Sequence, residues 1–215
     1  MWRVLVDAAK RGAVEAGYEI ITRQPGRGLS NVWDLKKGGK TQAASFRTTR
    51  DRWIAFPPLE GGKKWKTLDD VELVVVATVD SKENPKNAQV YVLPASDVRD
   101  RFVASRAARI KNGHTVRDDF GMWVNLDADH RDTASAVGSG IVQKYSPVAT
   151  YVLDVLFQEM TSVHSDDGDT AITEPDDEKA QLVTISDVMT WARERVADIA
   201  GVRVEAVKLD LKVEY

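Results

Sequence analysis

Side chains that can contact phosphate and stack on bases are concentrated in residues 23–66. This stretch contains eleven lysines and arginines against three acids, although the whole chain carries a net charge of −3. Lysine and arginine neutralise phosphate groups, and tryptophan stacks on unpaired bases. These residue types therefore predict binding to DNA or RNA. The predicted contacts are Arg27, Lys40, Arg47, Arg50, Arg52, Lys63, Lys64, Trp65 and Lys66.

Strand alternation decides whether the arginines of this stretch can act together. Residues 43–56 are predicted to form one long strand, which ends at Pro57 because proline cannot donate to a sheet ladder. Successive side chains of a strand point to opposite faces, so Arg47 is expected on one face and Arg50 and Arg52 on the other. The three form one patch only if the strand bulges or ends between them.

The second cationic group flanks Trp65 in a glycine-rich loop that contains Lys63, Lys64 and Lys66. Lysines that contact phosphate beside a tryptophan that stacks on bases are typical of single-strand binding. In the alternative interpretation, Trp65 anchors the loop on the core and the lysines are only solvated. Trp33 and Trp53 lie on predicted strands and are expected to be wholly or half buried.

The spacing of apolar residues predicts a mixed α/β domain. The run Leu73–Val79 is continuously apolar and rich in β-branched residues, which is typical of a central strand covered on both faces. Helices are predicted at 4–16, 96–111, 146–160 and 186–200. Strands are predicted at 18–22, 32–35, 43–56, 73–79, 89–93, 121–126 and 202–215.

The predicted elements and the charge pattern divide the chain into three parts. Residues 1–160 form the predicted core domain. Residues 161–180 are expected to be an acidic flexible linker, since residues 166–178 contain seven acids and no base. Residues 181–215 are expected to form a C-terminal helix-strand unit packed on the core.

Four segments of the core follow one another in an order that resembles a known family. They are Val-Trp-Asp-Leu at 32–35, Ser-Phe-Arg-Thr at 45–48, the apolar run 73–79, and Val-Tyr-Val-Leu-Pro-Ala-Ser-Asp at 90–97. With the helix that precedes them, they resemble the PD-(D/E)XK, or restriction-endonuclease-like, superfamily. The resemblance implies an α/β (α+β) fold with a mixed central sheet flanked by helices.

The resemblance also implies where a nuclease centre would lie. In this superfamily one acid lies on the first hairpin strand, and an acid or glutamine precedes a lysine by two residues on the second. Asp34 matches the first position and would be the Mg²⁺ ligand of an active enzyme. Ser45 and Arg47 occupy the other two positions, and arginine is effectively always protonated and a poor base. A degenerate nuclease that binds without cutting is therefore predicted.

Three functional hypotheses follow. The first is a nucleic-acid-associated protein with an inactive nuclease-like core. The second is an active Mg²⁺-dependent endonuclease, a metal-dependent phosphodiesterase, in which Asp34 acts with Glu19 or another acid. The third is a non-catalytic interaction module that forms a homo-oligomer.

Composition further narrows the classes of protein to which the chain could belong. The chain has no cysteine, which excludes disulfides, thiolate zinc sites and a cysteine nucleophile. Charges interrupt the first ten residues too early for a signal peptide. The longest apolar run, 73–79, is too short to span a bilayer as a helix. A cytoplasmic protein without a membrane partner is expected.

Overall fold

A computed structural model describes residues 1–23 and 31–162, together with the single positions Arg193 and Lys208. The chain divides into two units, Met1–Asp166 and Asp167–Tyr215. The elements below belong to the first unit. Arg27, nearly all of the predicted linker and nearly all of the C-terminal helix-strand unit lie outside the described residues, so those assignments stay predictions.

The first unit is built from both helices and strands, as predicted. The helices are α1 (Trp2–Glu15), α2 (Ala95–Lys111), α3 (Ile141–Lys144) and α4 (Leu153–Ser162). The strands are β1 (Glu19–Arg23), β2 (Val32–Lys37), β3 (Lys40–Thr49), β4 (Trp53–Ala55), β5 (Pro58–Leu59), β6 (Lys64–Trp65), β7 (Leu73–Val79), β8 (Asn87–Pro94), β9 (Trp123–Asn125) and β10 (Ala149–Val152).

Six strands form the main sheet, in the order β1-β2-β3-β7-β8-β10. Every neighbouring pair is antiparallel except β3 and β7, which are parallel. The carboxyl ends of β3 and β7 therefore meet at the same edge of the sheet. Two smaller ribbons, β4–β9 and β5–β6, lie outside this sheet.

Helix α1 covers one face of the main sheet. A helix was predicted at 4–16, and the buried side of α1 is small and apolar and includes Leu5, Ala8 and Ala13. Gly12 permits the close approach, because a Cβ at this position would lie 2.6 Å from a methyl group of Val90. Leu153 of α4 packs into the same apolar cluster.

The opposite face is covered by α2, the β4–β9 ribbon and the segment between β4 and β7. Phe102 of α2 makes edge-to-face contacts with Phe56 and Trp65, at centroid distances of 5.4 and 5.3 Å. With both faces covered, all residues of β7 are buried. The predicted central strand is confirmed.

Two predicted elements are wrong at one end. The predicted strand 43–56 ends at Thr49, and the chain turns through Arg52, whose φ is 64°, before β4 joins a different ribbon. The predicted helix 146–160 begins only at Leu153, because Ala149–Val152 pairs as β10 with the edge of β8. Thr150, Tyr151 and Val152 favour strand geometry where an edge is available.

Candidate functional site

A cavity of about 700 Å³ lies where the carboxyl ends of β3 and β7 meet. In open α/β sheets, ligands bind outside the carboxyl ends of the strands. The cavity volume is also within the range of small-ligand sites, about 300–1,000 Å³. The lining residues are Arg47, Thr48, Thr49, Arg50, Asp51, Trp53, Ile54, Ala55, Lys82 and Trp123.

The early end of β3 brings the cations together. Arg47 lies on the strand, whereas Arg50 lies beyond its last residue, Thr49, and is no longer held to strand alternation. Both side chains therefore line the same cavity. Lys82, from the turn between β7 and β8, is a third cation in the lining, and it is exposed.

Arg47 is the most enclosed of the three cations. Its guanidinium carbon lies 4.5 Å from the centroid of the Phe56 ring. Its Nε is buried and has no hydrogen-bond partner among the described residues. Burial lowers the pKa of Arg47 to about 10, so the side chain is still a cation at neutral pH. Arg47 forms no ion pair with a described residue, and a half-buried cation of this kind favours an anionic ligand.

One carboxylate, that of Asp51, also lines the cavity. Its Oδ1 accepts hydrogen bonds from Thr49 Oγ1 at 2.7 Å and from the backbone N–H of Trp53 at 3.2 Å. These bonds stabilise the turn between β3 and β4. The cavity thus combines three cations with one acid that already accepts two protein donors.

The structure corrects the prediction for Arg52, which is a structural residue. Its Nε and Nη2 donate to the two carboxylate oxygens of Asp127 at 2.6 and 2.8 Å. Its Nη1 donates to the carbonyl oxygen of Val79 and to Oε1 of Gln89. The side chain is 11% exposed. Arg52 therefore ties the β3–β4 turn to the ends of β7 and β8 and is not positioned to contact phosphate.

Trp65 is also corrected. It is 2% exposed and packs on Phe102, so it cannot stack on a base. The alternative interpretation, in which it anchors the loop, is confirmed. Lys64 and Lys66 form ion pairs of 2.7 Å with Glu60 and Asp119.

The remaining predicted cations lie elsewhere. Lys63, Lys64 and Lys66 do not line the cavity. Lys40 begins β3, and the cavity is at the other end of that strand. At about 3.3 Å per residue, the two ends are roughly 30 Å apart. The structure therefore brings together Arg47 and Arg50 and separates Lys40 from them.

Asp34 and Arg47 are too far apart to share a metal ion. Asp34 pairs with Ala43, four residues before Arg47 along β3, which corresponds to about 13 Å. Glu19, the other acid considered, has Lys36 as its cross-strand neighbour and lies 3.9 Å from its Nζ. Within residues 1–23 and 31–162, no group of three or more histidines or acids is arranged to hold a metal.

Sequence reasoning missed Lys82 and Trp123, and it treated Trp53 only as a wholly or half-buried residue. Trp53 is half-buried and lines the cavity. A signal for the two tryptophans exists, because each precedes a buried aliphatic residue in a short strand, Ile54 or Val124. That alternation turns both indoles toward the other face of the ribbon.

No protein-family model matches the chain, and neither a curated protein nor a solved structure does. Among the described residues, no helix is long and apolar enough to cross a membrane. The geometry of the cavity is therefore the basis for assigning a function.

Proposed function

We propose that this chain binds nucleic acid, DNA or RNA, through the cavity at the carboxyl ends of β3 and β7. The observation that carries the proposal is the convergence of Arg47, Arg50 and Lys82 on one cavity with a single carboxylate. Phosphate groups are the anions that such a set of cations binds most often along a polymer. The side chains of Trp53 and Trp123 in the same lining favour a ligand that also carries bases.

The residues at the nuclease-like positions favour binding without cleavage. Ser45 is buried and Arg47 is a cation, so neither supplies a metal ligand or a base. Among the described residues, no group of three or more acids or histidines is arranged to hold a metal ion. We therefore propose a degenerate restriction-endonuclease-like core. The succession of α1, the β2–β3 hairpin, the buried β7 and the β8–α2 unit supports this proposal.

Salt-dependent binding tests the proposed function. Fluorescence anisotropy of labelled oligonucleotides, measured between about 50 and about 200 mM salt, should show affinity that falls steeply with salt. Three phosphate contacts correspond to a slope of about −2 to −3 for log affinity against log salt. The double variant Arg50→Ala/Lys82→Ala should reduce that slope to about −1.

Lys40→Ala is the matched control, because it removes a cation at the opposite end of β3. It should leave both affinity and slope close to those of the wild type. Absence of binding at low salt, or binding that salt does not weaken, contradicts the proposal.

Cleavage assays test whether the chain binds nucleic acid without cutting it. Single-stranded and duplex substrates should remain intact with Mg²⁺ or Mn²⁺. Metal-dependent cleavage that disappears in Asp34→Ala would instead establish the endonuclease alternative.

A further inference from the structure

We propose that the nucleic acid is a single strand, whose bases stack on an aromatic surface formed by the half-buried Trp53 and the exposed Trp123 and Phe120. This inference rests on the proposed function, because the cations of the cavity supply the phosphate contacts. It goes further in assigning the bases to a separate set of side chains and in excluding an intact duplex as the preferred ligand.

The β4–β9 ribbon presents the two tryptophans on one face. Trp53 lies opposite Asn125, and Ala55 lies opposite Trp123, so the two indoles are diagonal neighbours. Diagonal positions of this kind are about 7–8 Å apart at their Cα atoms. Ile54 and Val124 point to the core from the other face of the ribbon. The ribbon therefore has one apolar face against the core and one aromatic face in the cavity wall.

The indole of Trp123 is accessible to a ligand. Trp123 is 44% exposed. The residue opposite it, Ala55, has only a methyl group with which to cover the ring. On the other side, the indole lies over Gly121, where a Cβ would come within 2.6 Å of the ring. Gly121 covers one part of the ring, and the exposed fraction of Trp123 leaves the rest accessible for stacking.

Phe120 adds a ring in edge-to-face contact with Trp123, outside the cavity lining. It is 56% exposed, and its ring centroid lies 6.1 Å from that of Trp123. The guanidinium carbon of Arg117 lies 5.2 Å from the Phe120 ring. Contiguous exposed apolar surface on a protein marks interaction sites or ligand-binding grooves. Here the two rings continue directly from the cationic cavity.

The order of charge and aromatic rings along this path suits a single strand. Trp123 lines the cavity with Arg47, Arg50 and Lys82, and Phe120 contacts Trp123 outside that lining. A strand that places phosphates on the cations can place successive bases on the rings. In a duplex the bases are paired and stacked on one another, so their faces cannot reach the rings.

Competition between single strands and duplexes tests this inference on the full chain. The probe is fluorescein-labelled oligothymidylate, and the competitors are an unlabelled mixed-sequence single strand and its duplex. We expect the single strand to compete at least about tenfold better than the duplex. Trp123→Ala should weaken single-strand binding about 5- to 150-fold and leave the weaker duplex binding unchanged. Trp123→Phe, which keeps an aromatic ring, should recover most of the loss.

Phe157→Ala is the matched control, because Phe157 is an exposed aromatic residue on α4, which packs on the same side of the main sheet as α1 and does not line the cavity. It should bind as the wild type does. Circular dichroism distinguishes lost stacking from misfolding, and Trp123→Phe keeps the test decisive should the alanine variant fold poorly.

The outcomes separate the two proposals. Salt-sensitive binding in which duplex and single strand compete equally, or in which Trp123→Ala and Trp123→Phe have no effect, overturns the stacking inference and leaves the proposed function standing. Absence of binding to either nucleic acid at low salt overturns both.

Discussion

The guanidinium carbon of Arg47 lies 4.5 Å from the centroid of the Phe56 ring, and its buried Nε has no hydrogen-bond partner among the described residues. Five residues later, Arg52 has the opposite character, since its guanidinium binds both oxygens of Asp127 and two further acceptors. The contrast assigns different roles to the two arginines. Arg52 stabilises the turn, whereas Arg47 lines the cavity with a charge that no described carboxylate pairs.

Replacing Arg47 with methionine should separate stability from binding. A buried charge without a carboxylate partner is costly, and a hydrophobic side chain of similar volume is often neutral or stabilising in its place. We expect the free energy of unfolding of Arg47→Met to be unchanged or higher in urea titrations. Affinity for nucleic acid should fall at least about tenfold, since a charge-assisted contact of about 1.5–3 kcal/mol is lost. A markedly less stable variant with normal affinity would show that Arg47 is structural.

Replacing Arg52 should lower stability, in contrast to the replacement of Arg47. Arg52→Ala leaves the carbonyl oxygen of Val79 and the carboxylate of Asp127 without their donor. We expect a loss of about 1.5–3 kcal/mol in the free energy of unfolding, below that of a fully buried pair because Asp127 is partly exposed. Lys64→Ala is the control, because Lys64 binds Glu60 in an ion pair whose side chains are 60% and 56% exposed, and such a pair is worth about 0–1 kcal/mol. Equal losses in the two variants would refute the structural role of Arg52.

The position of the Trp123 ring should respond to Gly121→Ala. The added Cβ would lie 2.6 and 2.7 Å from two ring atoms, so the indole must move, and its exposure gives it room to do so. We expect a changed near-ultraviolet circular dichroism spectrum with a stability loss below about 1 kcal/mol. The spectral change should be absent when the substitution is made in Trp123→Phe. An unchanged spectrum in the wild-type background would contradict this arrangement of the ring.

Acid should weaken the fold through Asp80, which closes the turn that carries Lys82. Burial by itself would raise the pKa of Asp80, but hydrogen bonds from the backbone N–H groups of Lys86 and Asn87 and from the Asn87 side chain outweigh it and lower the pKa to about 2. The ordinary aspartate pKa is about 3.9. The charged form therefore stabilises the fold above about pH 4, and this contribution is lost as the pH falls to about 2.

Urea midpoints measured across this pH range check the effect. Asp80→Asn should be less stable than the wild type at neutral pH, and it should lose less stability between about pH 4 and about pH 2. Parallel pH profiles for the two proteins would exclude Asp80 as a source of the acid sensitivity.

Local sequence patterns were sufficient to predict elements whose buried residues recur at a regular short spacing. The β-branched run 73–79 predicted a strand buried on both faces, and the structure has that strand with the same bounds. The spacing of apolar residues predicted a helix at 4–16, and α1 forms there with its apolar side buried. The presence of Arg47 and Arg50 in a cationic segment was likewise visible. These features depend on residues close together in the chain, whose periodicity reports the environment of each face.

Contacts between residues that are distant in the sequence decided the remaining features of the fold and the site. Propensity alone did not show that β3 ends at Thr49, because the turn depends on contacts between Arg52 and residues as distant as Asp127. Ala149–Val152 became a strand because β8 offered an edge. Trp65 is buried against Phe102, whereas Trp123 is exposed beside Phe120. The sequence by itself determined an α/β domain with a basic segment that contains aromatic residues. Only the tertiary structure placed Arg47, Lys82 and Trp123 in one cavity, because the free energy of contacts between distant residues is not encoded in local spacing.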